Sequence, residues 1–207
     1  EGKIQLSYID IDENGVVSLT HLQKLLKENP KTFVSIMHAN NEIGTIQDIK
    51  AISDICKEYN AIFHSDTVQT IAHFLFDMQE LNVDFMAASA HKFHGPKGVG
   101  FVYISEDIQI KPFLRGGGQE RNMRAGTENI YGIAALTKAM EMAYEHLEEE
   151  VAYIKGLKSY MIEKFKTEMP EVQFYGKCTD MDNSLYTVLS VNFPVTKIAE
   201  MLLFNLD

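Results

Sequence analysis

Residues 32–38 (TFVSIMH), 46–58 (IQDIKAISDICKE) and 61–64 (AIFH) read as strand, helix and strand. The first run is apolar and of strand length, as a buried strand should be. In the second, Ile49, Ile52 and Cys56 recur at three- and four-residue spacing, which places them on one helical face. Residues 85–88 (FMAA) and 100–104 (GFVYI) read as two further short strands. Strands and helices alternating in this way build βαβ units. The expected fold is therefore α/β, a mostly parallel sheet flanked by helices. Further along, residues 129–150 carry a long helical pattern with a charged end, Glu148, Glu149 and Glu150. The pattern resumes over 151–169 and stops at Pro170. Residues 172–175 and 185–193 are strand-like, and an amphipathic run begins near Thr196 and continues to Asp207. This second rhythm reads as the start of a smaller α+β domain. The expected organisation is a large domain over 1–150 and the beginning of a smaller one over 151–207.

The bulk composition narrows the function classes. Of 207 residues, 45% are hydrophobic and 23% charged, enough apolar material for a sizeable core. A net charge of -10 disfavours non-specific contact with nucleic acid or an anionic membrane. Two cysteines, Cys56 and Cys178, make neither a disulfide framework nor a zinc motif. No apolar run follows a basic start, and none reaches the roughly 18 residues of a membrane span. A soluble, cytoplasmic protein is expected. The chain begins at Glu1 rather than Met and stops at Asp207 inside an apolar run. A bare end there would leave Leu202, Leu203 and Phe204 poorly covered, so both ends are expected to lie inside a longer protein.

The chemistry gathers around Lys92, in Ser89-Ala90-His91-Lys92-Phe93-His94-Gly95-Pro96-Lys97-Gly98-Val99-Gly100. This lysine follows a strand-like run and precedes a Gly/Pro-rich turn. Sheet enzymes place reactive groups at the carboxyl ends of strands. A lysine there suits a Schiff base with a cofactor aldehyde; the alternative is a solvated loop lysine. Asp66 follows the strand at 61–64, 26 residues before Lys92. A pyridoxal phosphate (PLP) site needs such an acid, to keep the pyridine nitrogen protonated. Taken alone, Asp66 could equally form a turn or cap a helix.

These segments resemble the class V aminotransferase superfamily, and within it the cysteine desulfurase branch. Residues 89–100 resemble its PLP-lysine signature, 38–44 (HANNEIG) its Asn-Asn-Glu motif, and 64–69 (HSDTVQ) its cofactor-ring motif. Residues 115–121 (RGGGQER) and 124–129 (RAGTEN) resemble its Gly-rich dimer-contact segment. The resemblance implies a role for each matching residue. Lys92 would hold PLP and move protons at the substrate α-carbon. Asp66 would bind the ring nitrogen, and Gln69 would donate to the phenolic oxygen. Asn41 would sit by that oxygen and the substrate carboxylate, unless it is only a turn residue. Ser89 and His91 would hold the phosphate, with His91 also counted among the catalytic residues. Thr127 would reach the phosphate of a neighbouring subunit, which implies a homodimer; it also suits the N-cap of the helix starting near Glu128. Gly116, Gly117 and Gly118 lack a following Gly-Lys-Ser/Thr and are no P-loop. No metal is implied.

The implied activity is conversion of L-cysteine to L-alanine. The sulfur would pass through an enzyme persulfide to an acceptor or scaffold protein for iron–sulfur clusters or thiolation. The family's nucleophilic cysteine loop and substrate-carboxylate arginine are expected after Asp207. Its ring-stacking histidine and phosphate-binding turn are expected before Glu1. Cys56 lies on an apolar helical face and Cys178 in a polar turn, so neither is expected to replace the nucleophile. The competing readings are another class V lyase, acting on selenocysteine or as a cysteine β-lyase, and a partner-docking fragment without catalysis.

Overall fold

The computed structural model describes residues 4–195, 201, 202 and 204. The chain falls into two compact units. The first comprises residues 1–10, 17–38 and 47–147, and the second residues 11–16, 39–46 and 148–207.

The first unit is built on a four-stranded sheet. Its strands are β1 (Phe33–Met37), β2 (Ile62–Asp66), β3 (Phe85–Ser89) and β4 (Gly100–Ile104), in that spatial order. β1, β2 and β3 are parallel, while β4 runs antiparallel to β3. The expected mostly parallel sheet is therefore present. Its helices are α1 (Leu19–Glu28), α2 (Ile49–Glu58) and α3 (Ile130–Glu145). β1 and β2 alternate strictly between exposed and covered side chains. Val34, Ile36 and Phe63 join one core with Leu22 and Leu26 of α1, Ile52, Ile55 and Cys56 of α2, and Leu136 of α3. Full burial of a side chain such as Phe63 contributes about 1.5–3 kcal/mol. The other sheet face carries Phe33, Met37, Ile62 and Val102, all at least 39% exposed.

Local chemistry sets the element ends. Asp48 caps α2 by accepting from the Ala51 amide at 2.9 Å, and Ser18 caps α1 through the His21 amide at 3.2 Å. Asn60 adopts a left-handed conformation (φ 53°), which turns the chain from α2 into β2. Asp84, just before β3, accepts from the Phe63 amide at 2.8 Å.

The second unit contains α4 (Leu147–Glu168) and the antiparallel pair β5 (Gln173–Phe174) and β6 (Val191–Asn192). Phe165 packs edge-on against Phe174 and Phe193, with ring centroids 6.4 and 5.6 Å apart. Lys158 is buried on α4 and donates to Ser184 Oγ at 2.9 Å and to the Leu185 carbonyl at 3.0 Å. Burial holds its ammonium below the ordinary lysine range.

Two boundaries differ from the sequence reading. The helical break falls at His146, not at 150–151, because α3 ends with its C-cap there and α4 runs on through the glutamates. Of residues 185–193 only Val191–Asn192 pair as a strand. The Leu185 amide is instead used by the Gly44 carbonyl at 2.7 Å. The amphipathic run expected from Thr196 lies, except for Met201, Leu202 and Phe204, outside the described residues.

Candidate active site

β2 delivers Asp66 at its carboxyl end. The alternation that buries Phe63 and Ser65 turns His64 and Asp66 to the opposite face, and Asp66 is exposed. Its Oδ1 accepts from the Val68 amide at 3.0 Å, which opens a tight turn. Within that turn Thr67 and Thr70 are fully buried, while Gln69 is only half-buried. Both the Thr67 amide (3.1 Å) and its Oγ1 (2.8 Å) bond to the Ala87 carbonyl of β3. The Thr70 amide and hydroxyl donate to the Thr67 carbonyl at 2.9 and 3.2 Å.

β3 is the next strand in the sheet, with Asp66 in register beside Ala87. Two residues on, Ser89 ends β3 on the same face, by the strand's two-residue period. A short 3-10 turn, Ala90–Phe93, follows at once. Its ends, Ala90 and Phe93, are pinned in the core at 0% and 1% exposure, so His91 and Lys92 between them project outward. Ser89 Oγ and His91 Nδ1 are 2.8 Å apart. The chain then reverses tightly: the Gly95 amide bonds to the Ala90 carbonyl at 2.8 Å. A Cβ at position 95 would stand 2.8 Å from the Ala90 Cβ, and one at Gly100 would run into the Ala88 carbonyl oxygen. Glycine is thus required at both positions for the turn after Lys92 to close on the β3–β4 pair.

Two histidines to which the sequence reading gave no role of their own belong to this region. His73 Nε2 lies 3.1 Å from the Lys92 carbonyl, so it donates there and ties the lysine's backbone to the turn after β2. His38, just beyond β1, is buried, with its Nδ1 3.0 Å from Thr70 Oγ1. Its ring meets Phe74 and Phe76 edge-on at 5.8 and 5.4 Å. Burial pushes the His38 pKa down to about 4, against a smaller upward pull from Asp48. Neither histidine carried a local signal, since their partners lie 19 and 32 residues away in sequence.

Two further residues flagged in the sequence, Thr127 and Asn41, have surroundings of their own. Thr127 is exposed and does not cap α3. That role belongs to Asn129, whose Oδ1 accepts from the Gly132 amide at 3.1 Å, because the helix starts at Ile130. Asn41 belongs to the second unit, exposed in the turn that Asn40 closes by accepting from the Glu42 and Ile43 amides. Its Nδ2 donates to Glu42 Oε1 at 3.0 Å. Cys56 and Cys178 are both buried, and burial pushes the Cys56 thiol up to about 12.

The donor set at the ends of β2 and β3 is one carboxylate, one carboxamide, a hydroxyl–imidazole pair and a primary amine. An aromatic aldehyde with a ring nitrogen, a phenolic oxygen and a phosphate needs these groups, and the residues present fit it. Among the described residues no helix is long and apolar enough to cross a membrane.

The family described as "Aminotransferase class-V" matches residues 1–204. The chain is 43% identical over 204 residues to "Cysteine desulfurase IscS" of Clostridium botulinum (strain Hall), covering 98% of this chain and 50% of that protein. A solved "NifS-like protein" from Rickettsia africae superposes with a TM-score of 0.86 at 35% identity, covering 96% of this chain and 55% of the other. Another solved "NifS-like protein" gives 0.84 at 40% identity, covering 93% and 52%. The chain thus spans about half the length of the relatives it matches.

Proposed function

The chain belongs to the aminotransferase class-V family, and from that membership we propose that the full-length protein is a PLP-dependent cysteine desulfurase. It would convert L-cysteine to L-alanine and pass the sulfur to an acceptor for iron–sulfur clusters or thiolation. The observation that most supports this reading is the adjacency of Asp66 and Ala87, which brings the acid-bearing end of β2 beside the strand that delivers Ser89, His91 and Lys92.

When bound, PLP supplies the electron sink that weakens bonds around the substrate α-carbon. The protein's residues would do the rest. The Asp66 carboxylate would hold a proton on the ring nitrogen. The Gln69 carboxamide would donate to the phenolic oxygen. Ser89 and His91, already paired, would bind the phosphate. The Lys92 amine would tether the cofactor and move protons at the substrate α-carbon. The roles of Asn41, beside the phenolic oxygen and substrate carboxylate, and of Thr127, at a neighbouring subunit's phosphate, rest on resemblance. A homodimer fits the apolar surface near that segment, with Phe113 97% and Tyr131 85% exposed. The sulfur-accepting thiolate is assigned outside this chain, since Cys56 and Cys178 are buried. Residues 1–150 would form the cofactor domain and 151–207 the start of the smaller one, in a cytoplasmic protein.

The test is visible absorbance of the full-length protein with PLP, before and after L-cysteine, with alanine and sulfide measured together. A yellow band that changes with cysteine, and alanine formed with sulfide under a reductant, are expected. Borohydride should fix PLP to wild type and not to Lys92→Ala. PLP fixed equally to Lys92→Ala would sink the assignment of that lysine, and wild-type turnover in Asp66→Ala would remove the role of the carboxylate.

A further inference from the structure

We infer that His38 and Thr70 are positioning residues for Asp66 and Gln69, acting through the buried hydrogen-bonded chain His38–Thr70–Thr67. The inference rests on the cofactor reading above and goes beyond it, because neither residue would touch the cofactor.

The turn after β2 interleaves two kinds of side chain. Asp66 and Gln69 remain accessible, and Thr67 and Thr70 are fully buried. Each threonine fastens the turn to a different neighbour. Thr67 is held by the Ala87 carbonyl of β3 through both its amide and its hydroxyl. Thr70 is held from the β1 side by His38. The hydrogen-bond directions are set as well. The Thr70 hydroxyl donates its proton to the Thr67 carbonyl, so its oxygen is left to accept from His38 Nδ1. That fixes the imidazole as the neutral Nδ1–H tautomer, which its buried site favours.

His38 is itself fixed through both its backbone and its ring. The His38 amide donates to the Asp66 carbonyl at 2.8 Å, and the ring abuts Phe74 and Phe76. Rotating the ring would disturb two aromatic contacts and leave a buried N–H unpaired. The backbone around Asp66 is therefore gripped at residue 66 itself, at 67 and at 70. Three restraints over five residues leave the carboxylate and carboxamide little freedom, as pre-organised recognition of a rigid ring demands.

The experiment compares full-length wild type with Thr70→Val, Thr70→Ser, His38→Leu and His38→Asn. Valine keeps the shape of threonine without the hydroxyl, while Asn can place an N–H near the Nδ1 position. Three quantities are read: the PLP dissociation constant of the apoprotein, the absorption maximum of bound PLP, and amide exchange at residues 67–71 without PLP. Thr70→Val and His38→Leu should weaken PLP binding by about tenfold or more, shift the band and speed exchange. Thr70→Ser and His38→Asn should return toward wild type. Should Thr70→Val not fold, the His38 pair decides in the same way. If Thr70→Val and His38→Leu bind PLP with wild-type affinity and an unchanged band, whatever their melting temperatures, the inference is overturned alone. If the wild type itself binds no PLP, the cofactor reading falls and takes the inference with it.

Discussion

Acidification should destabilise this protein through His38 before its carboxylates respond fully. The perturbation is a fall from pH 7 to pH 4, in wild type and in His38→Asn. In the folded chain the imidazole is buried and its pKa is lowered from 6.5 to about 4. An unfolded chain takes up that proton near pH 6.5, whereas the native chain resists it until about pH 4. Between those values the unfolded state binds more protons, so stability rises with pH. The contribution is complete above pH 6.5 and is lost as pH falls toward 4. At about 1.4 kcal/mol per pH unit, the interval is worth about 3 kcal/mol. Asp48, which pulls the imidazole pKa upward, already opposes part of the burial effect. Urea unfolding of the cofactor-free protein, followed by circular dichroism at several pH values, measures the difference directly. Wild type should lose about 3 kcal/mol more than His38→Asn across that range. Equal losses would show that His38 is charged, or accessible, in the native state, and the argument from its burial would fail.

Three further outcomes follow from buried groups. Ser65 is fully buried in β2, and its Oγ has no hydrogen-bond partner among the described residues. Ser65→Ala should therefore raise stability by about 1 kcal/mol, or roughly 2–4 °C in melting temperature; a loss would reveal a hidden partner. Lys158→Ala should cost about 3 kcal/mol in the same urea assay, because it removes the donor to Ser184 Oγ, leaves the Leu185 carbonyl with the Val188 amide alone and opens a void. Lys158→Met, which refills the space without a desolvated cation, should cost clearly less, and equal costs would refute the packing part of the argument. Cys56, buried and with its thiol pushed up to about 12, should react with a thiol reagent only after unfolding. Rapid labelling of native protein at that residue, identified by peptide mapping, would contradict its place in the core.

What the sequence made legible was what periodicity encodes. β1 to β4 and α2 show one-sided or apolar patterns within ten residues, and the structure places them within a few residues of the expected bounds. α1 has a pattern that the sequence reading above does not use: Leu19, Leu22 and Leu26 recur at three- and four-residue spacing behind the capping residue Ser18. Residues 185–190 are as apolar as a strand, yet their backbone partners come from Gly44, more than a hundred residues earlier, and from the Lys158 side chain. Non-local pairing of that kind has no period to read. The cap of α3 lies two residues beyond Thr127, because Thr127 and Asn129 are both capping types and only the backbone decides between them.

The same distinction governs the candidate site. Asp66, Gln69, Ser89, His91 and Lys92 are the groups proposed to carry the chemistry, and such groups at strand ends and in the turns that follow can be recognised from residue type and order alone. The residues that hold them in place are ordinary core residues by composition: two threonines and a histidine. Their meaning comes only from where their hydroxyls and ring nitrogen point. A turn that must be open to solvent on one side and rigid on the other cannot use an apolar anchor, because the turn's own backbone has polar groups to satisfy. Threonine answers both demands, since its methyl packs in the core while its hydroxyl closes the backbone bonds, as Thr67 does with Ala87. His38 then meets the one requirement left, a buried donor for the Thr70 oxygen, and it does so without placing a charge beside Asp66 only while it stays neutral. The low pKa of this imidazole and the precision of the neighbouring turn are therefore one property of the fold, so a variant that restores the donor without the titration should keep the geometry and lose only the acid sensitivity.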